Sequence, residues 1–160
     1  MVRVRDLKLS LRAFAKTYPW RRIDPVPVAR LARPIARCRI GLVSTAGLLV
    51  PGDVPFDDGI RGGDFSHRVI PSDCDVQALE EHHRSDAFDH AGIAADRNIG
   101  FPLDRLHELA AEGDVGGVAP RHVSLMGSIT APRRLVRTTL PAVVDLFRVD
   151  RVDVALLVPV

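Results

Sequence analysis

The segment that most constrains this chain is VDVALLVPV at 152–160, an apolar run placed directly after a helical pattern. Such a run reads as a buried strand of a parallel sheet, since parallel strands are reached through crossover helices that cover the sheet. CRIGLVST at 38–45 has the same character. Helical patterns lie between the two. At 102–113, Pro102 opens the pattern, Leu103, Leu106, Leu109 and Ala110 form one face, and Gly113 stands where a C′ residue belongs. At 132–148, Thr130 is the predicted N-cap, Pro132 lies in the first turn, and Val136, Leu140, Val143, Val144 and Phe147 make the apolar face. Pro141 is expected to kink or restart this helix, because its ring removes a backbone donor. The alternation of strands and helices predicts an α/β fold. Its mainly parallel sheet would carry flanking helices in three layers, doubly-wound-like, with right-handed crossovers.

The remaining segments complete the outline. Residues 5–18 place Leu7, Leu11, Phe14 and Tyr18 at helical spacing, and YPWRRIDPVPVARLARP then spends four prolines in a short span. We expect an N-terminal helical and extended arm over 1–36 and a single α/β domain over 37–160. SHRVIP at 66–71 predicts a second strand, and VQALEEHHRSDAFDH from residue 76 has helical character. VGGVAPRHVSLMG predicts a Gly-broken strand and loop. A hydrophobic share of 46% suffices for one core. Cys38 and Cys74 show neither disulfide-framework nor zinc-ligand spacing, which fits a reducing cytoplasm. No apolar run has the length of a membrane span, so a soluble protein without a membrane partner is expected. A net charge of +2, with basic residues scattered among acids, lacks the footprint that nucleic acid requires.

Open α/β sheets bind ligands past the carboxyl ends of their strands, so the loops there hold the candidate residues. STAGLL at 44–49 offers the Ser44 and Thr45 hydroxyls and a Gly47 that permits close backbone approach. A small-residue turn after a strand is more often plain turn chemistry. Neither a G-x-G-x-x-G nor a P-loop motif is present, so no dinucleotide or NTP is indicated. HHRSDAFDH is the densest titratable cluster. On a helix, His82, Asp86 and His90 would share one face. That face could hold a metal, carry an acid/base function or simply be solvated. Because such a metal site would be incomplete, we expect none, and a metal-dependent hydrolase trails the other readings. His122 and Ser124 alternate on a predicted strand and face one side, either as a satisfied buried pair or toward a ligand.

Four segments resemble, in order, the selenoprotein B family of glycine, sarcosine and betaine reductases, the group to which D-proline reductase belongs. They are GLVSTAGLLVPGDVPF, GGDFSHRVIP, the His-rich segment running into DRNIGFPLDRLHELAAEGDVGGVAPRHVSLMG, and VDVALLVPV. The resemblance spans roughly residues 20–160, and DRNIGFPLDRL followed by HVSLMG is its most specific element. It implies a bacterial, cytoplasmic protein of amino-acid metabolism, an oxidoreductase that reductively cleaves a C–N bond of an amino acid or N-methylated amino acid. The nucleophile in such proteins is selenocysteine or cysteine, and a dithiol is the electron donor.

The resemblance also implies roles for particular residues. Ser44, Thr45, Gly47, Gly63, Asp64, Arg68, Asp96, Asn98, Ser124 and Gly127 would converge on a small amino-acid-like substrate. Arg68 would pair with its carboxylate. His82, His83 and His122 are the catalytic candidates, with His82 or His83 donating a proton to the departing amine. In relatives the redox residue follows the strand corresponding to VALLVPV, a position directly after Val160; Cys38 and Cys74 stand elsewhere. We therefore expect a shortened homologue or the N-terminal part of a longer protein, without turnover or a cofactor of its own. The family fold kept as a binding or assembly protein is the alternative. Other reductase-complex subunits are candidate partners, and an uncovered apolar sheet surface predicts a homo-oligomer.

Overall fold

A computed structural model of the chain describes residues 9–18, 22–86 and 88–160, which fall into two compact units, Met1–Arg30 and Leu31–Val160. The first unit contains helix α1, Leu9–Thr17, whose last hydroxyl donates to the Ala13 carbonyl. Leu7 of the expected helical face lies outside the described residues, as do the side chains of Leu11 and Phe14.

The second unit holds strands β1 (Arg39–Ser44), β2 (Leu48–Leu49), β3 (His67–Pro71) and β4 (Glu80–Glu81), then helices α2 (His90–Ala95) and α3 (Leu103–Glu112). Strands β5 (Gly117–Val118) and β6 (Arg121–Leu125), helix α4 (Leu140–Val149) and strand β7 (Val154–Val158) complete it. In the main sheet β5 and β6 run parallel to β1 in succession along one edge, and β7 runs parallel along the other. Strand β3 pairs antiparallel with β6, and β2 with β4 form a separate antiparallel pair. The predicted mainly parallel α/β sheet is thus present, with its second strand reversed.

Apolar side chains cover both faces. Ile40 and Leu42 of β1 join Ile70, Ile93, Phe101, Leu103 and Leu106 on one side; Val43, Val123 and Leu125 meet Val143 and Phe147 of α4 on the other. Gly41 makes the second contact possible, because a Cβ there would lie 2.9 Å from the Phe147 ring. Helix α3 ends where expected, at Gly113 in the left-handed region (φ +83°). The second predicted helix is continuous but irregular. A π-helical turn over Leu135–Thr139 precedes α4, and the α-helix restarts with Pro141 at its N-terminus, where the missing N–H costs nothing. Its first backbone bond runs from Val136 N–H to the Pro132 carbonyl, so Thr130 lies two residues ahead of the cap position.

Two further expectations are overturned. VDVALLVPV is not buried on both faces, since β7 is an edge strand and Leu156 and Leu157 are 36% and 66% exposed. Its apolar composition shows that it can pack, without showing that two neighbours flank it. The segment from residue 76 is not a helix either. It makes a 3-10 turn at Val76–Ala78, pairs Glu80–Glu81 with the buried Leu48–Leu49, and turns helical only at His90, where Asp89 accepts the Gly92 N–H. Among the described residues no helix is long and apolar enough to cross a membrane.

The sheet has one internal defect. Between β5 and β6, Ala119 N–H reaches the Ile40 carbonyl and Pro120 has no donor, leaving Leu42 N–H opposite a gap in the ladder. His122 fills it: its Nδ1 accepts the Leu42 N–H at 3.0 Å, and Nε2 lies 3.3 Å from the Ser72 hydroxyl. Burial, with a contribution from the charge of His107, pushes the His122 pKa down to about 4. The folded chain thus requires the neutral ring. Its stability should be fully present above pH 6.5 and fall by about 3 kcal/mol as the pH drops from 6.5 through 4, where the unfolded chain binds the extra proton. Urea unfolding at a series of pH values measures this. His122→Leu should remove that dependence and cost about 2 kcal/mol at pH 7 by orphaning Leu42 N–H.

Candidate functional site

Parallel strands deliver several loops to one edge of the sheet, and the register fixes which residues stand there. Ser44 and Val158, the last residues of β1 and β7, stand side by side with Ser124, one residue before the end of β6. Reversed β3 begins at that same edge, with His67 opposite Leu125, so the GGDFS loop arrives there too. A Cβ at Gly63 would lie 2.9 Å from Ile129, placing the loop before β3 against the loop after β6. Thr45 ties in the end of β7: its N–H donates to the Val158 carbonyl at 3.1 Å, and its hydroxyl accepts Val160 N–H at 2.9 Å.

The carboxyl end of β1 then folds over onto the His-rich segment. Gly47 (φ +68°) donates to the Leu125 carbonyl and accepts from His82 N–H, both at 2.9 Å, and a Cβ on it would meet His83 N at 2.9 Å. From the other side comes Gly127 (φ +72°), where a Cβ would stand 2.5 Å from the Thr45 carbonyl and 2.7 Å from His83 Nε2. Thr45, Gly47, His83 and Gly127 therefore meet at one place.

His83 is the titratable member of that group. Its ring is buried and stacked on Phe88, with centroids 4.0 Å apart. Ser85 N–H donates to Nδ1 at 3.3 Å, which puts the proton of the neutral ring on Nε2, and Nε2 has no hydrogen-bond partner among the described residues. Burial lowers the His83 pKa below the usual histidine value; Glu81 opposes this, while His90 and Arg84 reinforce it. The outcome is a neutral imidazole that presents a desolvated N–H. Such a group donates a hydrogen bond to an anionic atom far more readily than it surrenders its proton.

The other candidates are distributed differently. Ser44 is fully buried, donating to the Gly100 carbonyl and accepting Ala46 N–H at 3.0 Å. Asp64 accepts the N–H groups of Asp57 and Ser66; burial raises its pKa, but hydrogen bonds from Ser66 and Asp57 and the Arg68 charge outweigh that and hold it below the usual range. Arg68 spends its fork on Val54, Pro55, His67 and Ser66, with its guanidinium 4.4 Å over the Phe56 ring, so a bidentate carboxylate contact has no free face. Asp96 caps the turn at Asn98, whose amide reaches Asp104 at 2.7 Å. His82 is half-exposed, 3.9 Å from Glu80. His122 belongs to the ladder repair and has both ring nitrogens partnered. Because the segment is not helical, His82, Asp86 and His90 share no face; His90 pairs with Glu81 instead. Ser124 is fully buried, its hydroxyl without a partner among the described residues.

Both cysteines sit at the opposite edge. Cys38 precedes β1, and Cys74 follows β3, whose last residue pairs with Arg121 at the start of β6. The Cys38 thiol donates toward the Arg33 and Pro34 carbonyls; burial and then the charges of Asp104 and Asp73 push the Cys74 thiol up. A cavity of about 480 Å³ opens near there, between Arg39, Ser72, His107 and Pro120. Glu81, the carboxylate that holds both His83 N–H and the His90 ring, escaped the sequence reading. Its position two residues before His83 is a signal only once the segment is known to be extended.

The domain is thus an α/β fold whose loops gather at the carboxyl edge of its parallel strands, around a buried imidazole donor. Over residues 3–158 the chain matches the family described as glycine/sarcosine/betaine reductase selenoprotein B, and it belongs to that family. It is 30% identical over 136 residues to D-proline reductase subunit gamma of Acetoanaerobium sticklandii, covering 84% of this chain and 54% of that one. To the sarcosine and betaine reductase complex component B subunits beta of Peptoclostridium acidaminophilum it is 27% and 29% identical, over 78% and 87% of this chain and 28% and 32% of theirs. The chain thus spans about half the length of the first relative and about a third of the others. No solved structure matches it.

The orphaned Ser124 hydroxyl yields a direct test. Ser124→Ala removes a buried group that has no partner, so thermal unfolding should show unchanged or slightly raised stability, within about 1 kcal/mol.

Proposed function

We propose that this chain is a subunit of a reductase complex that cleaves the C–N bond of an N-substituted or free amino acid, and that its own part is to hold the substrate carboxylate. The observation that carries this reading is the buried, unpartnered Nε2–H of His83 at the carboxyl edge of the sheet. Glycine, sarcosine, betaine and D-proline, named in the family and its members, all carry a carboxylate, and a desolvated N–H donor is suited to one. The role differs from donating a proton to the amine, because the lowered pKa of His83 keeps the ring neutral. Gly127 serves the same end by bringing its backbone close to Nε2, which shields that N–H from bulk water.

The names of the relatives, each a subunit of a reductase or reductase complex, support an assembly. So does the open β7 edge with its exposed Leu157, which suits a covering partner or a second copy. Neither Cys38 nor Cys74 reaches the carboxyl edge, so the two electrons for C–N cleavage come from a thiol or selenol brought there by the rest of the assembly, ultimately from a dithiol donor.

Two measurements test the reading. Adding D-proline, sarcosine, betaine or glycine should shift the His83 ring resonances in NMR spectra, and the matching amino-acid amide, which lacks the carboxylate, should not. No shift with any of the four overturns it. Gly127→Ala, which drives a methyl group against Thr45 and His83, should abolish that shift and destabilise the chain by about 1–3 kcal/mol.

A further inference from the structure

We propose that Glu81 and His90 form a proton-dependent brace that positions the His83 ring. The inference rests on the reading of His83 as the carboxylate donor and adds the residues that set its aim. Glu81 is anchored in β4 by pairing with Leu48. One of its carboxylate oxygens accepts His83 N–H, and the other lies 2.7 Å from His90 Nδ1. The opposite nitrogen of His90, Nε2, lies 3.1 Å from the Ser85 carbonyl. A carboxylate and a carbonyl can only accept, so both contacts are satisfied together only by an imidazolium, which has two N–H groups. Ser85 closes the loop, since its own N–H is the group that fixes His83 Nδ1. Phe88 lies between the rings, stacked on His83 and edge-on to His90 at 5.1 Å.

His90 therefore grips both ends of the segment that carries His83, Glu81 before it and Ser85 after it. The groups facing it are Glu81 from β4, and Asp86, the Ser85 carbonyl, His83 and the Phe88 ring from the loop. The Glu81 hydrogen bond raises the His90 pKa above the usual 6.5; a small burial effect opposes this, and the Glu81 charge, the Ser85 carbonyl and Asp86 add to the rise. Solvent reaches His90, so protons exchange freely. The brace is closed below that raised pKa and opens as the pH climbs through it, because a neutral ring must drop one of its two acceptors.

NMR on the full chain tests this over a pH range of about 5.5 to 9. The His83 ring shift and the amide exchange of Ser85 should show an inflection coinciding with the titration of the His90 ring. In His90→Gln and in Glu81→Gln that inflection should vanish, with Ser85 amide exchange roughly tenfold faster at low pH. Circular dichroism and the acid stability profile set by His122 confirm that the variants are folded. A His83 inflection that survives in His90→Gln, or Ser85 exchange unchanged in both variants, overturns the brace. Adding the four amino acids to wild type and to His90→Gln separates the two ideas. If none moves His83 but the variants disturb its ring, the brace stands and the carboxylate reading falls; if they move it equally in wild type and His90→Gln, the reverse holds.

Discussion

A central strand must find partners for its backbone on both edges, and β1 is where this protein meets that demand. Strand β7 serves one edge along five residue pairs, from Ile40 to Ser44. The other edge is shared by two short strands with a gap between them, and an imidazole accepts the N–H the gap exposes. An unpaired N–H at that depth would cost about as much as a lost core methylene or two. Once β1 is complete, its carboxyl end has a fixed position, and Thr45, Gly47 and everything hung on them follow. The repair also explains how a histidine that looks catalytic in sequence comes to be structural: a ring is the right length to span from one strand to the missing position on the next.

Much of the architecture was legible in the chain. The strands at 38–45 and 152–160, the helix ending at Gly113 and the restart at Pro141 each follow from a local rule about periodicity, left-handed caps or proline chemistry, and local rules suffice where tertiary packing agrees with them. The His-rich segment failed because its preference was decided from outside. Leu48 and Leu49 are fully buried and take Glu80–Glu81 as a ladder partner, so residues with good helix propensity were drawn into an extended path. The exposure of β7 was equally out of reach, since composition records what a strand could pack against and says nothing of how many neighbours it has.

The candidate site was half legible for a related reason. Segments at strand ends can be located from the strands alone, and Thr45, Gly47 and Gly127 do meet. Which side chains point inward depends on competition for hydrogen bonds that sequence does not rank. Arg68 and Asp64 looked available and are consumed by their own loops, each acting as an internal knot. His83, one of two adjacent histidines, is set apart from His82 by alternation along an extended chain. Its neighbour faces outward toward Glu80, whereas it turns inward onto Phe88.

The placement of the two thiols has a practical side. A six-residue strand separates the edges of the sheet by about 20 Å. Cys74, the less buried of the pair, can therefore carry a spectroscopic label without touching the region around His83. Its raised pKa means that such labelling is slow at neutral pH and needs an alkaline buffer or long incubation. A probe installed there would watch the amino edge of the sheet while ligands are offered to the carboxyl edge. Adventitious air oxidation of either native cysteine would likewise leave the carboxyl edge of the sheet chemically intact.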